Sequence, residues 1–438
     1  MPLFMADARP PSGHWDERVV AGLVTGAAFA LPAFSLGLPS GYSWGALMLV
    51  LAGFVALFSG SARTCWQLSH WRWFSIAVAL MGLVWLLRID IDWGRPLTIE
   101  AFGRIAKYAL AVIAIAAVCR KPPPIGWLKL GCWTGAWFAG LTAAWQIHIQ
   151  GMERASGYTN AIQFGDIAVL LTVWSLLWWR HADGVTVKLF AGGAIVAGAY
   201  AALASGTRGG WIVAPVLLML AWLLDGSRRR SLPSLNKQTW FLWGFAGIAS
   251  LIAAGVISHH TPQWGARLAQ IPLEWSLFRE GGVSETSIGH RLAHWQLAWD
   301  MGWDRPMLGW SEAGYDREKQ YRVILGEAPP VVLRFGHAHH EWLDLWAKGG
   351  LAGVGALALF FGIPLLIYIQ SLRQNATSTG HESGELCTAA VCGAVLVLGF
   401  FGFGMTQVLF AHNSGNMMYL FMNLLWMGAT APRLLRQV

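Results

Sequence analysis

The stretch LFAGGAIVAGAYAALASGTRGGWIVAPVLLMLAWLL, Leu189 to Leu224, decides the fold class. Two apolar runs, Leu189–Ala204 and Trp211–Leu224, flank the turn Ser205-Gly206-Thr207-Arg208-Gly209-Gly210, in which Arg208 carries the only formal charge of the stretch. About 20 apolar residues in a helix cross the hydrocarbon core of a bilayer, with a working range of roughly 17 to 25. Short apolar runs of this kind, joined by so brief a turn, read as consecutive membrane helices running in opposite directions.

The pattern repeats outward in both directions. Cutting the chain at its charged or Pro/Gly-rich interruptions gives about twelve segments: Val19–Leu36, Trp44–Phe58, Trp73–Leu87, Ile105–Val118, Trp127–Ile147, Ile162–Trp179, Leu189–Ala204, Trp211–Leu224, Trp240–Ile257, Leu351–Ile369, Cys387–Phe410 and Met417–Ala429. Composition agrees, since 55% of the 438 residues are hydrophobic and 12% are charged, against about 25% charged in a soluble domain. Trp occurs 27 times, often near the ends of apolar runs, as in Trp71 and Trp73 or Trp178 and Trp179. An indole there sits at headgroup depth and keeps a hydrogen bond. The expected fold class is all-α and polytopic, with about 12 transmembrane helices and one large extracytoplasmic loop that contains short helices. Helices 1–9 fall in residues 1–258, the loop in 259–346 and helices 10–12 in 347–438.

The net charge of +8 raises a nucleic-acid reading, because Lys and Arg clusters neutralise phosphates. The basic residues mostly flank spans instead, and no nucleic-acid partner is expected. The cysteines Cys65, Cys119, Cys132, Cys387 and Cys392 lie in or beside apolar segments without paired metal spacing or a disulfide ladder, and read as packing residues. The polar stretch Met1–Arg18 lacks the basic start and small-residue cleavage site of a secretory signal, so the first apolar run should be retained.

Lys and Arg in short loops are held on the cytoplasmic side. With the N-terminus inside, the loops after even-numbered helices carry Arg63 and Arg72, Arg120 and Lys121, Arg180 and Lys188, Arg228 to Arg230, and Arg373, and Arg433 and Arg436 end the chain on that side. Both termini are thus expected to be cytoplasmic. The acidic loop with Asp90, Asp92 and Glu100 faces outward, as does the segment from His259 to about Trp346. That segment is too short and Pro-interrupted for an independent domain, and is expected to pack on the membrane face as a lid.

Three outward patches combine cationic or titratable residues with small ones. In the Arg208 turn a guanidinium can fork onto phosphate oxygens while the glycines admit an anion to backbone N–H groups; a snorkelling arginine is the plainer alternative. Ser287-Ile288-Gly289-His290-Arg291 opens an amphipathic helix that runs on to Pro306-Met307-Leu308-Gly309-Trp310, which puts Arg291 in a first turn where anions are favoured. Gly336-His337-Ala338-His339-His340-Glu341-Trp342-Leu343-Asp344 leads into helix ten. Its histidines suggest a metal, but no distant Cys or Asp set has ligand spacing. A neutral imidazole oriented by a carboxylate is instead a competent general base. His412-Asn413 is a weaker candidate, and Asp166 receives no catalytic role.

In order and placement these patches resemble the O-antigen ligase and polymerase superfamily of lipopolysaccharide assembly. The resemblance lies in Ser-x-x-Arg-Gly (Ser205 to Gly209), Ser-x-Gly-x-Arg (Ser287 to Arg291), Pro-x-x-Gly (Pro306 to Gly309) and Ala-His-x-x-aromatic-Leu (Ala338 to Leu343), preceded by Arg154-Ala155-Ser156-Gly157. It implies a GT-C-like glycosyltransferase of the bacterial inner membrane that works at the periplasmic face without metal or cofactor. The donor would be an undecaprenyl-diphosphate-linked O-antigen and the acceptor the lipid A core oligosaccharide. By matching position, Arg208 and Arg291 would hold the diphosphate, with Arg154, Ser287 and His340 nearby, and His339 would act as the base. Family members usually place Asn after that histidine where this chain has His340, which leaves His337, His339 and His340 in competition. A polymerase or a protein O-oligosaccharyltransferase would use the same donor. A transporter or flippase would need charged sites at the midplane, whereas these candidates lie at one face.

Overall fold

The computed structural model describes residues 14–59, 65–89, 99–224, 287–375 and 381–430, and their regular structure is helical throughout. In chain order it comprises α1 (His14–Phe34), α2 (Gly41–Phe58), α3 (Ser69–Leu87), α4 (Ile99–Arg120), α5 (Ile125–Ala144) with a terminal π turn (Trp145–Ile149), α6 (Ala161–Trp179), α7 (Val185–Ala204) and α8 (Arg208–Leu224). After the undescribed stretch come α9 (Ser287–Asp304), α10 (Glu312–Ile324), a 3-10 turn (Pro330–Arg334), α11 (Glu341–Asn375), α12 (His381–Phe403) and α13 (Asn413–Thr430). The expected span Trp240–Ile257, the acidic turn with Asp90 and Asp92, and the arginines at 228–230, 433 and 436 lie outside the described residues.

Eight described helices, α1 to α4, α6, α7, α11 and α12, are long and apolar enough to cross a membrane, and α8 is apolar but shorter, at 17 residues. The protein is a multi-pass membrane protein. Its perimeter shows why, because large apolar side chains point outward along whole helix faces: Leu47, Leu51, Phe54 and Phe58 on α2, and Met219, Trp222 and Leu223 on α8. In water such a surface would be costly; in lipid it is the solvated face. The centre is taken by α13, buried from Ser414 to Thr430 except at Met417 and packed against α1, α2, α4, α11 and α12. Its buried amides survive there because they are hydrogen-bonded, as where Asn423 donates to the Tyr419 carbonyl at 2.8 Å and accepts from the Tyr368 hydroxyl at 3.0 Å.

Ion pairs tie together one end of the bundle, where Arg120 at the end of α4 meets Asp16 of α1 at 3.0 Å and Lys129 of α5 meets Glu385 of α12 at 3.5 Å. The opposite end carries the connections α7–α8 and α12–α13, the start of α11, and the lid elements α9 and α10.

Two boundaries differ from the sequence reading. The segment read as Cys387–Phe410 is helical only to Phe403; beyond it Leu409 and Phe410 are buried within a connection, so apolarity continues without helix. The helical stretch His340–Lys348 expected inside the loop is, from Glu341 on, the start of α11, so residue 346 lies inside a helix rather than at a boundary. That helix is interrupted at Gly350, with φ 59° and ψ −153°, a conformation essentially reserved for glycine. Residues 306–311 fill the interruption: Leu351 and Ala352 donate to the carbonyls of Pro306 and Met307 at 2.7 and 3.2 Å, while Trp310 and Ser311 donate to those of Ala347 and Lys348 at 2.9 and 3.0 Å. The Pro-x-x-Gly element thus takes over the backbone bonds that the break leaves open. A Cβ on Gly350 would meet the Met307 carbonyl carbon at 2.5 Å.

Candidate functional site

Helix α10 is fastened to the bundle by a ring of four charges, of which Arg88, Asp344 and Lys348 are buried and Glu312 is partly exposed. Arg88, at the end of α3, pairs with Glu312 at the start of α10 and with Asp344 of α11 at 3.1 Å. Lys348 completes the ring at 3.0 Å from each carboxylate. Two balanced pairs remain stable in a dry site because each charge has several partners. The ring also grips the histidine turn, since Lys348 Nζ donates to the Gly336 carbonyl at 2.7 Å and the Ala338 N–H donates to Asp344 Oδ1 at 3.0 Å.

Between those two anchors stands His337, followed by His339, whose φ of 53° is unusual for a residue with a side chain. Hydrogen bonds distinguish the three candidate imidazoles. His337 Nδ1 accepts the His339 N–H at 3.3 Å, and His340 Nδ1 accepts the Leu343 N–H at 3.3 Å. In the neutral state both rings therefore carry their proton on Nε2. His339 is the reverse: its Nδ1 faces Gln407 Oε1 at 3.3 Å, which accepts a proton held on Nδ1 and leaves the Nε2 lone pair open. His340 also packs edge-on against Trp295 of α9, centroids 5.2 Å apart, and serves to fix the start of α11.

The His339 ring is surrounded by Phe335 at 4.6 Å, His337 at 4.3 Å and His294 of α9 at 5.8 Å between centroids. Burial, together with the neighbouring His337, lowers its pKa to about 4, and burial lowers His337 and His412 in the same direction. These imidazoles are neutral near pH 7, the state in which a base can act. His294 is 0% exposed, and neither ring nitrogen makes a hydrogen bond among the described residues.

Arg291, one turn into α9, acts electrostatically on both His339 and Asp166. Asp166 is buried on α6, and one carboxylate oxygen has no hydrogen bond among the described residues. It abuts the Arg208 turn, for a Cβ on Gly210 would stand 3.0 Å from Asp166 Oδ1. One on Gly209 would collide with Thr406, which immediately precedes Gln407. The Arg208 turn, the Gln407 connection and the His339 turn are thus contiguous. Arg154 braces the first of these: its Nε donates to the Ser205 carbonyl at 2.7 Å, and Ala155 N–H donates to Ala204 at 2.9 Å. The loop holding Arg154 is pinned in turn by Gln146 in the π turn, whose Oε1 accepts the N–H groups of Ser156 and Gly157, both at 2.9 Å. Such a turn widens the end of α5 and aims a side chain that a regular helix would not.

Of the residues singled out in the sequence, His337, His339, His340 and Arg291 share this end with Arg208 and Arg154. Ser287 opens α9; its side chain lies outside the described residues. Among the described residues no three His, Cys, Asp or Glu side chains form a group that could hold a metal ion. Sequence reasoning missed Arg88, Glu312, Lys348 and Gln407, whose partners are distant in the chain, and helix α10, whose polar sequence carries no span signal.

A protein of Haemophilus influenzae (strain ATCC 51907 / DSM 11121 / KW20 / Rd), described as an uncharacterized protein, is 26% identical over 294 residues, which cover 65% of this chain and 69% of that protein. Residues 193–358, which run from α7 through the Arg208 turn, α9 and the histidine turn into α11, match the family described as O-Antigen ligase. Over that segment, which is less than half of the chain, the protein is similar to the O-antigen ligase family.

Proposed function

We propose that the protein is an O-antigen ligase, which moves a glycan from an undecaprenyl-diphosphate carrier to a hydroxyl of the lipid A core oligosaccharide at the periplasmic face of the inner membrane. The observation that carries this reading is the open Nε2 of a neutral His339 beside Arg291, in a site contiguous with the Arg208 turn. His339 takes the acceptor proton as the hydroxyl oxygen attacks the anomeric carbon. The bond from that carbon to the phosphate oxygen breaks, and its electron pair leaves with the diphosphate. Arg208 and Arg291 stabilise this developing charge through preorganised donors in a site sheltered from water. A single displacement inverts the anomeric centre, and the scheme assigns no role to a metal or cofactor. Arg154 holds the Arg208 turn, and His337 stays a neutral donor beside the base.

The test uses a strain lacking its own ligase, with Arg208→Ala, Arg291→Ala and single alanine changes at His337, His339 and His340. Loss of O-antigen attachment is expected for Arg208, Arg291 and His339, with smaller effects at His337 and His340. Full activity of all five at normal expression would defeat the site assignment. Purified lipid A core, a repeat unit and an acceptor protein, offered separately with one labelled donor, separate ligation from polymerisation and protein modification.

A further inference from the structure

Gln407 lies on the connection between α12 and α13, 3% exposed, with its N–H bound to the Phe403 carbonyl at 3.1 Å. Among the described residues it is the hydrogen-bond partner of the His339 ring. We infer that Gln407 is a positioning residue: by accepting the Nδ1 proton of His339 it fixes the tautomer and ring orientation that leave Nε2 free for the acceptor hydroxyl. This rests on the proposed transfer reaction. Within the turn, the Nδ1 atoms of His337 and His340 are occupied as acceptors by backbone N–H groups. Only the ring that meets a side-chain carbonyl is turned the other way.

The placement also links base and clamp. Thr406, next in the chain, touches the Gly209 position, so one short connection meets both the Arg208 turn and His339. An amide suits this task because it orients the ring without adding charge. The groups facing His339 are Arg291 and His294 from α9, His337 and Asp344 from the turn and α11, and His412 from the connection of Gln407 itself. A carboxylate at 407 would keep the accepting oxygen and add a negative charge, which favours the imidazolium.

The experiment measures ligation with the full-length protein in detergent or liposomes, as kcat, KM for the donor and the pH profile, for Gln407→Leu, Gln407→Met, Gln407→Glu and His339→Ala. Gln407→Leu and Gln407→Met should lower kcat by about 10- to 100-fold, the usual consequence of a misplaced reacting group, with donor KM little changed. Gln407→Glu should keep more activity than either and move the acid limb of kcat to higher pH. Wild-type kcat in the Leu and Met variants would overturn the inference, as would equal losses in all three with an unmoved pH profile, which mark a packing role. If Gln407→Leu does not fold, the Met and Glu variants decide. Wild-type activity of His339→Ala would instead bring down the underlying function.

Discussion

Arg88 and Asp344 are separated by 256 positions in the chain, yet their side chains meet at 3.1 Å in the interior. Their meeting joins α3 to α11, and with Glu312 and Lys348 it closes the ring that holds the histidine turn in place. Arg88 is 2% exposed, so removing one partner leaves a buried charge uncompensated. Arg88→Met should destabilise the protein by about 3–5 kcal/mol. The expected signs are a lower unfolding midpoint in detergent and faster cleavage of the lid by protease. An unchanged midpoint would mean that solvent reaches the ring.

Acid should loosen the same end. Burial lowers the pKa of His339 to about 4 and of His294 to about 3, below the usual imidazole value of 6.5. The unfolded chain then binds more protons between those values and 6.5, so stability rises with pH across that window. It is fully present above pH 6.5 and is lost as pH falls toward 4. Unfolding midpoints followed by Trp fluorescence from pH 7.5 to 4.5 should drop, and His294→Phe should flatten the slope.

Gly350 should tolerate no side chain. Its φ of 59° and ψ of −153° lie outside the range of other residues, and the contact with Met307 adds to a strain of about 1–3 kcal/mol. Gly350→Ala should lower the unfolding midpoint and weaken ligation. Gly355→Ala, on the same helix with nothing near its Cβ position, should be neutral or stabilising by up to about 1 kcal/mol. Equal behaviour of the two variants would show that the break in α11 carries no constraint.

The clamp should depend on guanidinium geometry rather than on charge alone. Arg208→Lys and Arg291→Lys keep a cation but lose the fork that grips two oxygens. Each should cost about 10²–10³ in kcat, the typical loss for one preorganised donor. EDTA should leave wild-type activity intact, and a strict divalent-cation requirement would count against a clamp made of arginine alone.

Much of the helical layout could be read from Leu189–Leu224 and its repeats, because lipid imposes a length and an apolarity that local sequence must display. The reading slipped at Phe403, where apolar residues continue into a buried connection and hydropathy no longer reports helix. Arg208, Arg291 and His339 were reached through short motifs, which place residues in order but not in orientation. What distinguishes His339 from its neighbours is its contact with Gln407, 68 positions away, and no local pattern announces it. Likewise Arg88, at the end of an apolar run, looks like any cation at a membrane border until Glu312 and Asp344 are brought to it.

The interruption of α11 at Gly350 changes how force travels through the molecule. Four backbone bonds from residues 306–311 straddle it, so the joint behaves as a rivet and bending there requires breaking several bonds at once. A tilt of the long span, as a thicker or thinner bilayer imposes, would then be carried across the joint toward Asp344 and Lys348. On the proposed reaction, lipid tail length would then act as a mechanical input to the transfer at the surface.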